Sequence, residues 1–292
     1  MTRRGWILFA SLGVIWGLPY LLIKVAVASV EPTFIVFVRV ALGALVLLPI
    51  VIATRQWRLL RGKWNWVLAF ALVEITFTFL ALTWAEERIS SSLAALLIAS
   101  VPIVGAILAW RFGLDAHWSI RRGIGLATGF LGVAALVGLD ADGSSLLSVA
   151  AVGITVLGYS LGPIIIEKRL HEIPSLPVIT AALAINTLIY APIAWIDRPT
   201  EPVPAEAWMS MIVLGVLCTA LAFVFLFALI GEVGAPRAQV ITYVNPAVAV
   251  VLGVLVLNEP ITLGIAVGFP LVLLGSWLAT RGGNPVEAEP HP

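Results

Sequence analysis

Two stretches of the chain decide its fold: residues 100–115, SVPIVGAILAWRFGLD, and residues 244–259, VNPAVAVVLGVLVLNE. Each carries a proline at its third position, runs apolar, and closes on an acidic residue thirteen positions after that proline. Pro102 and Pro246 stand 144 residues apart, and so do Asp115 and Glu259, Pro19 and Pro163, and Lys24 and Lys168. Pro49 with Pro192, Gly125 with Gly268 and Gly132 with Gly275 follow at 143. Seven pairs in one register make the chain an internal repeat.

The repeated unit is built for lipid. Of 292 residues 61% are apolar and 11% charged, with a mean hydropathy of +1.07. A soluble domain carries roughly a quarter charged residues and must cover itself with polar surface, so a soluble enzyme is excluded. The single cysteine, Cys218, forms neither an intramolecular disulfide nor a thiolate metal cluster. A net charge of +1 offers no basic excess for nucleic acid. Strand-type alternation is absent, which disfavours a membrane β-barrel.

A bilayer core takes roughly 20 helical residues. On that measure the chain holds ten spans, near 6–28, 33–53, 64–85, 89–110, 122–139, 146–166, 175–196, 207–230, 236–257 and 261–280. The first follows Met1-Thr2-Arg3-Arg4 and is too long for a signal-peptide core, so it is read as a retained helix. The expected fold class is an all-α integral membrane protein of ten transmembrane helices in two inverted five-helix repeats, 6–139 and 146–280. Five spans per copy bring the second copy in from the opposite face. Residues 281–292 read as a disordered, Pro-rich cytoplasmic tail. The basic residues set orientation. Thirteen of seventeen, among them Arg55, Arg58, Arg61, Lys63, Arg121 and Arg122, fall on one side, and only Arg88 and Arg198 on the other. The expectation is a multi-pass protein of the cell (inner) membrane with both termini cytoplasmic.

Lys24 and Arg39 are the two basic residues left inside spans, and Glu74 joins them as the third charged group there. Charges in lipid are functional candidates by default. Glu74 lies about 15 Å along its helix from Trp64, near the midplane, where a carboxylate can carry a proton or face a substrate ammonium. Thr78, one turn on, shares its face and is expected to hydrogen-bond it. Lys24 reads as a snorkelling interfacial anchor. Arg39, about 10 Å deep, needs carbonyl or carboxylate partners and reads as a clamp or a carboxylate-binding group.

Polar stripes extend the candidate pathway. Trp16, Tyr20 and Lys24 recur every fourth residue on one face of span 1; Gln239, Tyr243 and Asn245 line span 9 near Pro246; Tyr159 stands beside Thr155 on span 6. Such groups avoid lipid and face the bundle interior, as cavity lining or as glue between helices. Pro102 and Pro246 are the hinge candidates, because proline frees a carbonyl and bends a helix. Gly125, Gly129 and Gly132 in span 5, with Gly264, Gly268 and Gly275 in span 10, give smooth faces for close packing within the fold or between protomers. Trp84 and Trp110 sit at span ends as belt residues.

The three histidines lie in connections or the tail, and no Gly-rich phosphate loop or metalloprotease helix occurs. Ser90-Ser91-Ser92 reads as a helix start. No enzyme activity, cofactor or metal is expected, and the driving energy must come from a gradient.

Ile15-Trp16-Gly17, the following Lys24, Arg39 in span 2, and the doubled pattern of proline, acidic residue and Gly-rich last span resemble an EamA-domain protein of the drug/metabolite transporter superfamily. The resemblance covers about residues 6–280, with Asp115 standing where Glu is usual. It implies a ten-helix exporter of amino acids and other small metabolites. Inverted repeats around a midplane site are themselves the mark of secondary transporters. The expected function is therefore metabolite export by alternating access, with protons as a candidate coupling ion and a small molecule and the bilayer as partners. A metabolite exchanger or uptake carrier is the alternative within transport; a channel or non-transporting scaffold is the alternative outside it.

Overall fold

The computed structural model describes residues 2–114, 119–140, 146–233 and 238–280. Asp115, Arg237 and the tail 281–292 lie outside the described residues. Apolar helices form α1 (Arg3–Val27), α2 (Pro32–Ala53), α3 (Trp64–Ala85), α4 (Ser91–Arg111), α5 (Ile120–Leu139), α6 (Leu146–Leu170), α7 (Ser175–Ile196), α8 (Ala205–Val233), α9 (Ile241–Leu257) and α10 (Leu263–Ala279). No strand occurs among the described residues. The first eight are long and apolar enough to cross a membrane, and α9 and α10 are the shorter apolar helices among the described residues.

Proline shapes the start of α9. Pro246 has no N–H to give a preceding turn, so the chain winds as a 3-10 helix over Gln239–Tyr243 and restarts as α-helix at Asn245. Its repeat mate does the same in α4. There the helix stops at Ile98 and restarts at Val101, with Pro102 in the new first turn, where a missing N–H costs nothing. A second irregularity is doubled in α3 and α8, although a third π turn, at Ile166–Leu170 of α6, has no counterpart in α1. α3 widens into a π turn at Ala71–Thr76 and α8 at Val216–Leu221. Side chains take up the displaced carbonyls: Thr219 donates to Leu214 at 2.8 Å, and the Ala71 carbonyl lies 3.2 Å from both the Thr76 hydroxyl and Asn186 Nδ2.

The helix contacts come in matched sets. α1 packs on α8 and α9, and α6 packs correspondingly on α3 and α4; α2 lies along α7, and α5 along α10. The last pair is the closest. A Cβ at Gly275 would overlap the Gly129 main chain, and one at Gly132 would lie 2.6 Å from the Val272 nitrogen. The glycine faces of spans 5 and 10 thus pack within the fold.

The start of α4 is held by both halves. Ser90 Oγ accepts from the Leu93 N–H at 3.1 Å as an N-cap. Glu259, from the connection between α9 and α10, accepts from the N–H groups of Ser91 (2.7 Å) and Ser92 (3.0 Å) and from the Ser92 hydroxyl (2.5 Å). A carboxylate at a helix N-terminus satisfies donors that have no partner inside the helix. Replacing Glu259 by Ala is expected to lower stability by about 2–3 kcal/mol, a typical value for charge-assisted bonds, read as a fall in thermal midpoint of the purified protein. Glu259→Gln, which keeps an acceptor oxygen, should recover part of the loss.

Candidate transport pathway

The polar interior is organised by the two π turns. A π turn leaves carbonyls unsatisfied by the normal ladder, and such turns often mark functional sites. At the α8 turn, Arg39 of α2 donates from Nε to Thr219 Oγ1 at 3.1 Å, and its guanidinium lies 3.9 Å from the Phe79 ring centroid. Arg39 is 6% exposed and Thr219 1%. At the α3 turn, α7 supplies the partners. Asn186 Nδ2 donates to the Ala71 carbonyl at 3.2 Å, Thr76 Oγ1 donates to Asn186 Oδ1 at 2.6 Å, and the Tyr190 hydroxyl donates to the Thr76 carbonyl at 2.6 Å.

Around Arg39 the charges and phenols converge. Tyr20 of α1, Tyr159 of α6, Cys218 of α8 and Glu86 all lie within electrostatic reach of its guanidinium. Tyr159 also lies within electrostatic reach of Glu74, the carboxylate of α3. Trp16 adds an aromatic wall, edge-on to Phe223 at 6.4 Å, and Phe223 stacks on Phe227 at 6.2 Å.

Glu74 sits inside the α3 π turn, half-buried. Its Oε2 has no hydrogen-bond partner among the described residues and lies against Gly162 of α6, where a Cβ would collide with it. The hydrogen bond expected from Thr78 does not reach the carboxylate. Thr78 is fully buried and donates instead to the Glu74 main-chain carbonyl, in the i−4 habit of helical threonines, while its own carbonyl accepts from Thr155 at 3.1 Å.

Lys24 also departs from expectation. It does not snorkel: its Nζ donates to the carbonyls of Glu86 (2.6 Å) and Ile89 (2.8 Å), just past the end of α3. The carbonyls ending a helix carry partial negative charge and take a cation in preference to the headgroup region. The other polar residues of span 9 serve the helix breaks. The Asn245 amide, its nitrogen turned toward them, donates to the carbonyls of Gly13 (3.2 Å) and Ile241 (3.0 Å). The Tyr243 hydroxyl donates to the Ser276 carbonyl at 3.1 Å, and Ser276 Oγ donates to Ala99 at the break in α4 at 3.0 Å. Ser276 therefore ties both interruptions to α10. The side chain of Gln239 lies outside the described residues.

Tyr20, Arg39, Tyr159 and Glu74 are thus drawn into one region, with Lys24 at its Val27 end. Pro102, Pro246, Tyr243 and Asn245 gather at the interrupted helices. At the Val27 end the region is closed, with Tyr20 7% and Glu86 0% exposed. A surface groove of about 800 Å³ at that end is lined by Glu31, Trp84, Glu87, Arg88 and Asp197 among others; Arg39 does not line it.

The family model described as "EamA-like transporter family" matches residues 3–138 and again residues 146–281. The chain belongs to the EamA-like transporter family. Relatives at low identity are uncharacterized transporters. The uncharacterized transporter YvbV of Bacillus subtilis is 24% identical, over 93% of this chain and 90% of its own length. An uncharacterized transporter of Archaeoglobus fulgidus is 24% identical, over 95% and 99%. A protein solved by crystallography shares the fold with a TM-score of 0.69 at 17% identity, covering 95% of this chain and 97% of its own. This EamA-family chain is accordingly a multi-pass membrane transporter.

One ionisable residue corrects the sequence reading. The spans at 64–85 and 89–110 leave Glu86 between them, outside the three interior charges Lys24, Arg39 and Glu74; it is nevertheless fully buried. Its neighbours Glu87 and Arg88 pair at the surface at 2.6 Å, whereas α1 and the α9–α10 connection cover Glu86 from above. A signal was present: Glu74, Thr78, Leu82 and Glu86 recur every fourth residue, on one helical face. Asn186 and Thr219 were likewise missed, although any Asn or Thr in an apolar span asks for an internal partner.

Proposed function

We propose that this EamA-family protein is a secondary transporter of ten spanning helices in two inverted repeats, residues 6–139 and 146–280, which exchange roles to expose a central site to each side in turn. The observation that supports it most is the pairing of helix interruptions. α4 and α9 break at repeat-related prolines, α3 and α8 at nearly repeat-related π turns, and the buried Arg39 is held at the α8 turn by Thr219. Discontinuous helices at equivalent points of two repeats build substrate sites in secondary transporters.

The chemistry favours a small zwitterion. Arg39 has one side-chain hydrogen bond, through Nε, and so retains terminal N–H groups for a carboxylate. Glu74, within electrostatic reach of Tyr159, has an oxygen for an ammonium, and Trp16, Tyr20 and Tyr159 offer aromatic surface for an apolar side chain. Amino acids carry this combination. In this reading the protein sits in the cell (inner) membrane with both termini cytoplasmic, moves its substrate outward, and draws on the proton gradient. The charge bias of the connections supports the orientation.

Counterflow in liposomes preloaded with unlabelled amino acids tests it. Uptake of labelled amino acid should saturate, be competed by its unlabelled form, and accelerate under a pH gradient. Non-saturable flux would mean a channel and no flux a scaffold, and either result defeats the proposal. Glu74→Gln is expected to slow counterflow and flatten its pH dependence; wild-type behaviour across pH would remove Glu74 from the pathway.

A further inference from the structure

We propose that Glu86 is a proton-binding site of this transporter, with Lys24 as its exchangeable counter-ion. The inference rests on the transport reading for its purpose but not for its test. Glu86 is completely buried in the short connection between α3 and α4, and neither carboxylate oxygen has a hydrogen-bond partner among the described residues. That is not for want of donors nearby. Ser91, five residues on, and Ser92 give three hydrogen bonds to Glu259; at the far end of α1, Glu232 accepts from the Gly5 N–H at 3.0 Å. Glu259 and Glu232 are satisfied, whereas both oxygens of Glu86, like Oε2 of Glu74, are left bare. A buried carboxylate without donors is the kind of group that exchanges a proton when its surroundings change.

The groups that face Glu86 come from every side. Lys24 and Tyr20 approach from α1, Arg39 from α2, Tyr159 from α6 and Glu259 from the α9–α10 connection. Lys24 is placed unusually: its ammonium holds the main-chain carbonyl of Glu86, together with that of Ile89, and makes no ion pair with the Glu86 carboxylate. The same arrangement argues against a metal cation, since the two carbonyls that would join the carboxylate in a coordination shell are already taken by the ammonium. A proton needs only the carboxylate.

The step is a simple one. Glu86 takes up one proton as the acid and releases it as the carboxylate, with nothing oxidised or reduced. On release, the nearest cation is drawn from the carbonyls to the new charge. Lys24 would then let go of residues 86–89, and Glu259 alone would hold the start of α4. Proton release at Glu86 thus loosens the connection that closes the Val27 end of the bundle, which couples the proton to opening there.

Infrared difference spectroscopy of the purified protein in liposomes, stepped across pH, reads the protonated-carboxyl band directly and needs no substrate. The expected result is a titrating band whose Glu86 component is lost in Glu86→Gln, is kept in Glu74→Gln, and moves toward higher pH in Lys24→Met, because the cation favouring the ionised form is gone. An unchanged band in Glu86→Gln overturns the proposal. Should Glu86→Gln fail to fold, Glu86→Asp keeps a carboxyl and must shift the same band; an unshifted band again overturns it. A band that behaves as expected in a protein without saturable counterflow would leave the proton site standing and defeat the transport reading instead.

Discussion

Gly275→Leu is expected to abolish accumulation of folded protein in the membrane. Helices in lipid associate through close backbone approach at small residues, because the surrounding chains are as apolar as leucine and give no hydrophobic drive. At Gly275 the approach leaves no room: an added Cβ would overlap the Gly129 main chain and lie 2.7 Å from the Gly125 carbonyl oxygen. Overpacking a core typically costs about 1–3 kcal/mol, occasionally more. Here the obstacle is backbone on the partner helix, which cannot move aside by changing rotamer, so the cost belongs at the upper end. Because α5 and α10 close the two halves against each other, separating them removes the most extensive contact in the protein. Size-exclusion of a fluorescent fusion should show aggregate in place of a monodisperse peak. Gly153→Ala is the control, since nothing lies within 4 Å of a Cβ there. Its profile should match the wild type.

The second large effect belongs to Arg39. Removing a buried charge usually leaves its partner stranded, but here the partners are a neutral hydroxyl and an aromatic ring, Thr219 and Phe79. Arg39→Met should therefore fold, its thioether packing on the ring, and hold a thermal midpoint at or above that of the wild type. Transport should nevertheless vanish, because the carboxylate-reading group is gone. Arg39→Lys keeps the charge but loses the planar fork and the stacking, and should lower substrate affinity on the order of tenfold, about 1.4 kcal/mol. Concentration dependence of counterflow in the three proteins makes the comparison. Undiminished transport by Arg39→Met would assign Arg39 to structure alone.

These expectations rest on features of unequal visibility in the sequence. Membrane class, all-helical composition and the proline pair at 102 and 246 are legible because they depend on residue type and spacing alone. The π turns are not: nothing in Ala71–Thr76 or Val216–Leu221 announces an extra residue in the turn, and both become apparent only through the side chains that fill them. Glu86 stayed hidden for a similar reason. Beside Glu87 and Arg88 it reads as part of a charged loop, and only Lys24 and the connection bearing Glu259, one from earlier and one from much later in the chain, make its position an interior one. Glu74, by contrast, stood out because it interrupts an apolar run. Its register mate in the α8 turn is Cys218, which leaves the carboxylate to the first half alone.

If the two halves part at the Val27 end during each cycle, the contact between Glu259 and the start of α4 must break. A cysteine pair at Ser92 and Glu259, bridged by a short bifunctional thiol reagent with the buried Cys218 left in place, tests this directly. The bridged protein should lose counterflow, and the unbridged double variant should retain it. Counterflow at the unbridged rate in fully bridged protein would contradict alternating access by these two halves.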